Sequence, residues 1–221
     1  NRNTNFLYGQ PDGGPTHDAP QNGYLNRSRV SLDYIPRDNN HPYRPAIIFR
    51  MAEAYLSYAE ALNESSERMS HKQEILDNLN KIRHRAGIAE YGTGTDENGF
   101  TRIKINFSDQ KEVRRLIHKE RRVEFVGEGV RYHDLRRWKT AHYGIGNLNE
   151  QGENPDWGVN GPDYGMNYYG TEYTDQGDNA FFKRTKYMDR VYPRKFYWYP
   201  IHQSEIDKDP TLVQGPFWLG E

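Results

Sequence analysis

The stretch Lys119-Glu120-Arg121-Arg122-Val123-Glu124-Phe125-Val126-Gly127-Glu128-Gly129-Val130-Arg131-Tyr132-His133-Asp134-Leu135-Arg136-Arg137-Trp138 decides how this chain folds. Ten of its twenty residues are charged, with both signs interleaved, yet Val123, Phe125, Val126, Leu135 and Trp138 are threaded through them. A solvated helix has no use for so many large apolar side chains, and an ordinary core excludes ions because an unpaired buried charge is very costly. The pattern predicts a helix from Ser108 or Asp109 to about Val126, a break at Gly127 and Gly129, and a short helix from Val130 to about Lys139. The apolar residues should pack while the arginines and glutamates pair with neighbouring elements. Glu120, Glu124 and Asp134 should each lie within salt-bridge distance of an arginine, and Glu124→Ala should cost about 3 kcal/mol if its pair is buried.

Two more amphipathic helices are legible upstream. After Pro45, Ile48, Ala52, Tyr55, Ala59 and Leu62 step by four and three into one apolar stripe, with Arg50, Glu53, Ser57 and Glu60 on another face and Ser65-Ser66 at the end. A second helix should start at Ser70 with Gln73 closing a capping box, bury Ile75, Leu79, Ile82 and Ala86, and end at Gly87 in a left-handed cap. Asp109 and Glu112 offer another capping box. The pair, with small residues at Ala52, Ala54, Ala59 and Ala61, reads as one tetratricopeptide-type hairpin; there is no second copy, and the rest of an array would lie upstream of residue 1.

The remainder is punctuated by glycine, proline, asparagine and tyrosine. Residues 1–45 and 140–194 read as loop, apart from a candidate short strand in 24–35. Asp96-Glu97-Asn98-Gly99 reads as a turn, Lys195 to Tyr199 as an extended aromatic strand ended by Pro200, and Gln203 to Lys208 as a helical turn. The fold class is thus mainly α, a tetratricopeptide-like hairpin plus further helices with long irregular loops.

The 221 residues are enough for one domain with a real core. A net charge of -1 gives nucleic acid and anionic lipid no electrostatic attraction. Mean hydropathy is low at -1.07, but 17 Tyr, 9 Phe and 4 Trp are too many aromatics for a disordered chain. Zero cysteines exclude disulfides, thiol catalysis and thiolate metal sites. The chain carries no initiating Met, signal peptide, lipidation cysteine or spanning apolar run, and it opens in a polar stretch, so it reads as a piece of a longer protein.

The chemistry-bearing groups point away from catalysis and metals. Glu53 with Glu60, and Glu120, Glu124 and Glu128, stand on helical stripes among arginines, whereas glycoside hydrolysis needs two carboxylates facing each other across a cleft. The eight histidines have no zinc-helix spacing. The acidic turns Asp96-Glu97-Asn98-Gly99 and Asp175-Gln176-Gly177-Asp178 could ligate calcium, but neither has the ligand pattern of an EF-hand. No cofactor is called for. What remains is aromatic: Tyr8, Tyr24, Tyr34 and Tyr43 in the first loop region, Trp157, Tyr164, Tyr168, Tyr169 and Tyr173 in the second. A ring with a polar tip suits a sugar, apolar on its CH face and hydroxylated at its edge; the same rings could instead fill loops that lack aliphatic residues. Tyr8, Tyr24, Trp157, Tyr164, Tyr168 and Tyr169 are the candidate ligand-binding residues, on two loop regions expected to converge on a shallow groove.

Three blocks resemble the SusD/RagB family of outer-membrane nutrient-binding lipoproteins. They are Arg50-Met-Ala-Glu-Ala-Tyr-Leu-Ser-Tyr-Ala-Glu-Ala-Leu-Asn63 with Leu79-Asn-Lys-Ile-Arg-His-Arg-Ala-Gly87; Glu120 to Trp138; and Tyr197-Trp-Tyr-Pro-Ile201 with Glu205-Ile206 and Leu212-Val-Gln214. They span residues 46–218. His202, Asp209 and Gly215-Pro216-Phe217-Trp218 depart from the family's usual terminal block. The resemblance implies a SusD-like fold whose N-terminal half is missing from this chain. It implies a non-catalytic protein on the extracellular face of the outer membrane, held there by an N-terminal lipid anchor this chain lacks. Its partners would be an oligo- or polysaccharide and a TonB-dependent transporter barrel that it caps as a lid. A helical-repeat domain binding protein or peptide, or a glycosidase, are the alternatives.

Overall fold

The computed structural model describes residues 5–13, 23–26, 31, 33, 42–43, 47–144 and 158–219. The chain divides into two compact units, Val30–His133 on one hand and Asn1–Arg29 with Asp134–Glu221 on the other.

The first unit is helical. α1 (Met51–Glu64) packs on α2 (Lys72–Ala86) and α3 (Gln110–Glu124). Ala52, Leu56, Ala59 and Leu62 of α1, Ile75, Leu79 and Ile82 of α2, and Val113 and Ile117 of α3 form one core with Tyr91 and Phe125. Leu56, fully buried, joins this face although it lies outside the expected stripe. Ile48 does not join the stripe: Arg50 is an extended N-cap, so the helix starts only at Met51 and leaves Ile48 97% exposed. Ala86 is likewise exposed at the end of α2. Gly87 closes α2 at φ 67°, with the Ile88 N–H returning to the Arg83 carbonyl as a left-handed cap requires. The expected box at Ser70 is absent, because His71 is the N-cap and the Ser70 hydroxyl donates to the Glu67 carbonyl in the preceding turn. Asp109 does cap α3, accepting from the Lys111 and Glu112 N–H groups, while the Glu112 carboxylate turns to the Asn106 N–H.

The Lys119–Trp138 stretch carries its charges inward. Glu120 accepts from Arg83 at 2.6 Å and from the Tyr91 hydroxyl at 2.7 Å, all three side chains buried. Glu124 takes Arg50 and, at 2.5 Å, Arg85. Arg50 also donates to Glu128 at 2.9 and 2.7 Å, and with Arg121 it lies against the Phe125 ring. Asp134 pairs with Arg137 at 2.9 Å. The expected pairing of all three acids is present. The expected packing of every apolar residue is not: Val123 and Val126 are 64% and 61% exposed. Glu120 and Arg121 take the interior positions of this turn, and Val126 lies beyond the last residue of α3.

α4 (Val130–Arg137) leads into the second unit, where the buried cluster Leu135, Ala141, Tyr192 and Tyr197 holds little aliphatic bulk. Polar contacts make up the difference. The Asn160 amide donates to the His142 carbonyl and accepts the Tyr192 N–H, and Arg136 donates to the Phe196 and Tyr197 carbonyls at 3.1 and 2.5 Å. Two expectations fail here. Residues 140–194 are not all loop, since β1 (Gly161–Met166) and β2 (Arg184–Arg190) form an antiparallel hairpin with a register shift between Asp163 and Tyr164. Two glycines and a proline in β1 disguise it as loop. The aromatic run expected as a strand is a 3-10 turn at Arg194–Tyr197; its last carbonyls are satisfied by Arg136 and need no partner strand. α5 (Gln203–Lys208) is the expected helical turn. Among the described residues the architecture is five helices and one two-stranded sheet.

Candidate functional site

The second unit joins two segments far apart in sequence. The Tyr8 N–H donates to the Gly170 carbonyl at 2.9 Å. The Tyr173 hydroxyl accepts the Phe6 N–H at 2.8 Å and donates to the Asn5 side chain at 3.0 Å. Residues 167–182 form a tight turn: Asn167 donates to the Asp178 and Ala180 carbonyls, and Gly170 runs so close to Phe181 that an added Cβ would fall 2.5 Å from its Cα. This turn holds Tyr168 and Tyr169, and the docked segment 5–13 brings Tyr8 to them. The Tyr8 and Tyr169 ring centroids are 5.4 Å apart, and those of Tyr168 and Tyr169 are 4.6 Å apart. Desolvation first, then a hydrogen bond with Tyr169, push the Tyr168 phenol above its ordinary value, so it is a neutral donor and acceptor at physiological pH. Tyr8 and Tyr169 remain 43% and 57% exposed.

Of the six candidates, the structure therefore brings Tyr8, Tyr168 and Tyr169 into one ring cluster. Tyr164 lies on β1 with the Arg184 guanidinium 3.9 Å from its ring centroid. Tyr24 is exposed and follows Gly23, which sits at φ 73° and where an added Cβ would fall 2.9 Å from the Met166 Cβ, so both the backbone and the space require glycine. Trp157 lies outside the described residues, as does most of the candidate strand in 24–35. Two contributors were not among the six. Tyr173, visible as a loop aromatic, works as a clamp. Arg184 had no sequence signal, because nothing local shows that β2 will set it against Tyr164.

The helical unit has its own concavity of about 870 Å³, lined among others by Tyr55, Leu76, Lys81, Tyr91, Arg102 and Phe107. Its polar wall is largely self-paired: Arg102 holds Glu90 at 2.8 Å, and Lys81 lies over the Tyr55 ring. The acidic turn Asp96-Glu97-Asn98-Gly99 belongs to this wall, and its Asp96 oxygens accept the Glu90, Asn98 and Phe100 N–H groups. Among the described residues no group of three or more His, Cys, Asp or Glu could hold a metal ion, and no helix is long and apolar enough to cross a membrane.

The helical unit is an ion-paired scaffold, and the second unit presents partly exposed tyrosines from loops tied down by hydrogen bonds. The model of the SusD family (SusD and RagB) matches residues 1–218, so the chain belongs to that family. Three SusD-like proteins of Formosa agariphila are 32%, 32% and 33% identical to it over 49%, 47% and 48% of this chain, covering 18%, 19% and 19% of their own lengths. A crystal structure of a SusD-like protein from Bacteroides fragilis superposes with a TM-score of 0.52 and 27% identity, over 78% of this chain and 26% of that one. The chain thus spans about a fifth of the length of the curated relatives it matches.

Proposed function

We propose that this chain is the glycan-capturing part of a cell-surface uptake protein. It binds an oligo- or polysaccharide without catalysis and passes it to a TonB-dependent transporter barrel at the extracellular face of the outer membrane. The observation that carries this reading is the Tyr8, Tyr168 and Tyr169 cluster. Three phenols from two distant segments meet at a surface, two of them well exposed, and their faces and hydroxyls suit the two sides of a sugar ring. The carboxylates of the helical stripes support the non-catalytic part of the reading, since Glu120, Glu124 and Glu128 are engaged by arginines rather than facing across a cleft. The α1–α2 hairpin we read as tetratricopeptide-like.

The test is a neutral-and-acidic glycan array followed by calorimetry, with Tyr8→Ala and Tyr169→Ala compared with wild type. Each ring should contribute about 1 kcal/mol, by analogy with aromatic pairs, so each variant should bind about fivefold more weakly at an unchanged melting temperature. Failure of every glycan to bind overturns the reading. A second reading, peptide capture, is favoured by the groove of the helical unit, and a peptide array run in parallel would reveal it.

A further inference from the structure

Residues 183–195 hold six basic side chains and one acid, a local excess that an otherwise neutral chain does not need. Most of these cations are committed. Lys183 pairs with Asp178 at 2.8 Å, Lys186 with Asp189 at 2.6 Å, and Arg190 lies 3.5 Å from Asp163. Lys195 sits over the Trp218 ring, and Arg194 has contacts of its own. Arg184 differs. It is exposed, its guanidinium rests against the Tyr164 ring, and among the described residues no carboxylate pairs with it.

Its position ties it to the aromatic surface. Directly opposed residues of an antiparallel pair share a face, and residues two apart along a strand do too. Met166 opposes Arg184 and Tyr164 opposes Lys186, so these four occupy one face of the hairpin. Gly23 abuts Met166, and the chain runs from there into exposed Tyr24. At the end of β1 the chain turns within two residues into Tyr168 and Tyr169. A guanidinium held against a ring keeps its N–H edges for a ligand, has lost part of its freedom before binding, and matches a planar carboxylate or a sulfate in bidentate fashion, which a lysine does not.

We propose that the ligand carries a repeating anionic group, a uronic carboxylate or a sulfate ester, and that Arg184 on its Tyr164 platform is the specificity-determining residue for it. This rests on the glycan reading above and names its substrate class.

The test uses the whole chain and oligosaccharide pairs that differ only in charge: oligogalacturonate against its methyl ester, and kappa-carrageenan oligosaccharide against its desulfated form. Dissociation constants are measured at low and moderate salt, and the Arg184 Nε–Hε resonance is followed by NMR. One charged member should bind about tenfold more tightly than its neutral counterpart, move that resonance, and weaken as salt rises. Arg184→Ala should abolish the preference at unchanged melting temperature, and Arg184→Lys should restore only part of it. Which pair responds separates carboxylate from sulfate. Equal binding within both pairs, or a preference that survives Arg184→Ala, overturns the inference. If neither pair binds while neutral glycans do, the inference falls and the glycan reading stands; if no glycan of any kind binds, both fall.

Discussion

Replacing Glu120 by alanine tests whether the charged stretch is interior scaffold. The carboxylate is nearly sealed from water and is the acceptor for two buried donors, Arg83 at 2.6 Å and the Tyr91 hydroxyl at 2.7 Å. Desolvation, then the neighbouring charge and hydrogen bond of Glu120, push the Tyr91 phenol far above its ordinary value, so it stays a neutral donor. Without Glu120, Arg83 keeps the Ala89 carbonyl and its contact with the Tyr91 ring but loses the carboxylate that, among the described residues, is its counter-charge. Breaking a buried pair this way costs about 3–5 kcal/mol, and the retained contacts place Glu120→Ala near the lower end. Glu124→Ala provides the internal comparison. Its partner Arg50 keeps Glu128, and Arg85 is more than half exposed and can turn to water. Its cost should therefore be about 1.5 kcal/mol, the value of a charged hydrogen bond, rather than the 3 kcal/mol that full burial of the pair would give. Urea unfolding followed by far-ultraviolet circular dichroism measures both. The double variant Arg83→Met/Glu120→Leu should recover part of the loss, because an apolar pair leaves no orphaned charge. A Glu120→Ala cost below that of Glu124→Ala would refute the reasoning.

Other outcomes follow from single contacts. Gly170→Ala must push a Cβ into the Phe181 backbone and should destabilise the second unit by about 1–3 kcal/mol, the usual cost of overpacking, as read by urea unfolding monitored through tyrosine fluorescence. Asp96 is held below the usual carboxylate range: burial raises its pKa, but the Glu90, Phe100 and Asn98 N–H groups together outweigh it. Its contribution is therefore fully present above the unfolded value of about 3.9 and is lost as pH falls through the lower folded value, and Asp96→Asn should flatten the stability profile in that window. Asp109→Ala removes the α3 cap and should cost about 1 kcal/mol in the same unfolding measurement.

The helical unit was legible because its information is local. Gly87 announces its left-handed cap, Asp109 its N-cap, and the spacing of Ile75, Leu79 and Ile82 the buried face. Even the ion pairs could be anticipated, since Glu120 among apolar neighbours must find a partner if it is buried. Helix starts were less legible. Ile48 continues the apolar period, but the extended backbone at Arg50 overrides it. The second unit resisted because its determinants are non-local. β1 exists because β2 pairs with Gly-Pro-Asp-Tyr-Gly-Met, and the 3-10 turn at Arg194–Tyr197 exists because Arg136 reaches its carbonyls from another helix. Composition singled out the tyrosines. Only the fold shows that Tyr173, itself 48% exposed, ties down the 5–13 segment through its hydroxyl, while Tyr8 and Tyr169 meet ring to ring.

The tyrosines of this aliphatic-poor unit have to hold its loops in place as well as serve any ligand. With Leu135 as the only buried aliphatic larger than alanine among the described residues of this unit, the loops are held by hydrogen bonds and ring contacts. On the proposed reading, positioning and recognition are carried by the same residue type a few positions apart. Tyr173→Phe should separate them: it keeps the ring against Phe181 and deletes only the hydroxyl that bridges the Asn5 side chain and the Phe6 N–H. The net loss should be about 1 kcal/mol for neutral hydrogen bonds at an exposed site, too little to unfold the unit. The 5–13 segment would nevertheless lose one of its tethers, leaving the Tyr8 N–H bond to Gly170. Ligand binding should therefore weaken about as much as in Tyr8→Ala, although Tyr173 need not touch the ligand. Rescue should come from a ligand too short to reach Tyr8, for which wild type and Tyr173→Phe bind alike. If Tyr173→Phe weakens short and long oligosaccharides equally, Tyr173 contacts the ligand itself, and the clamp assignment is wrong.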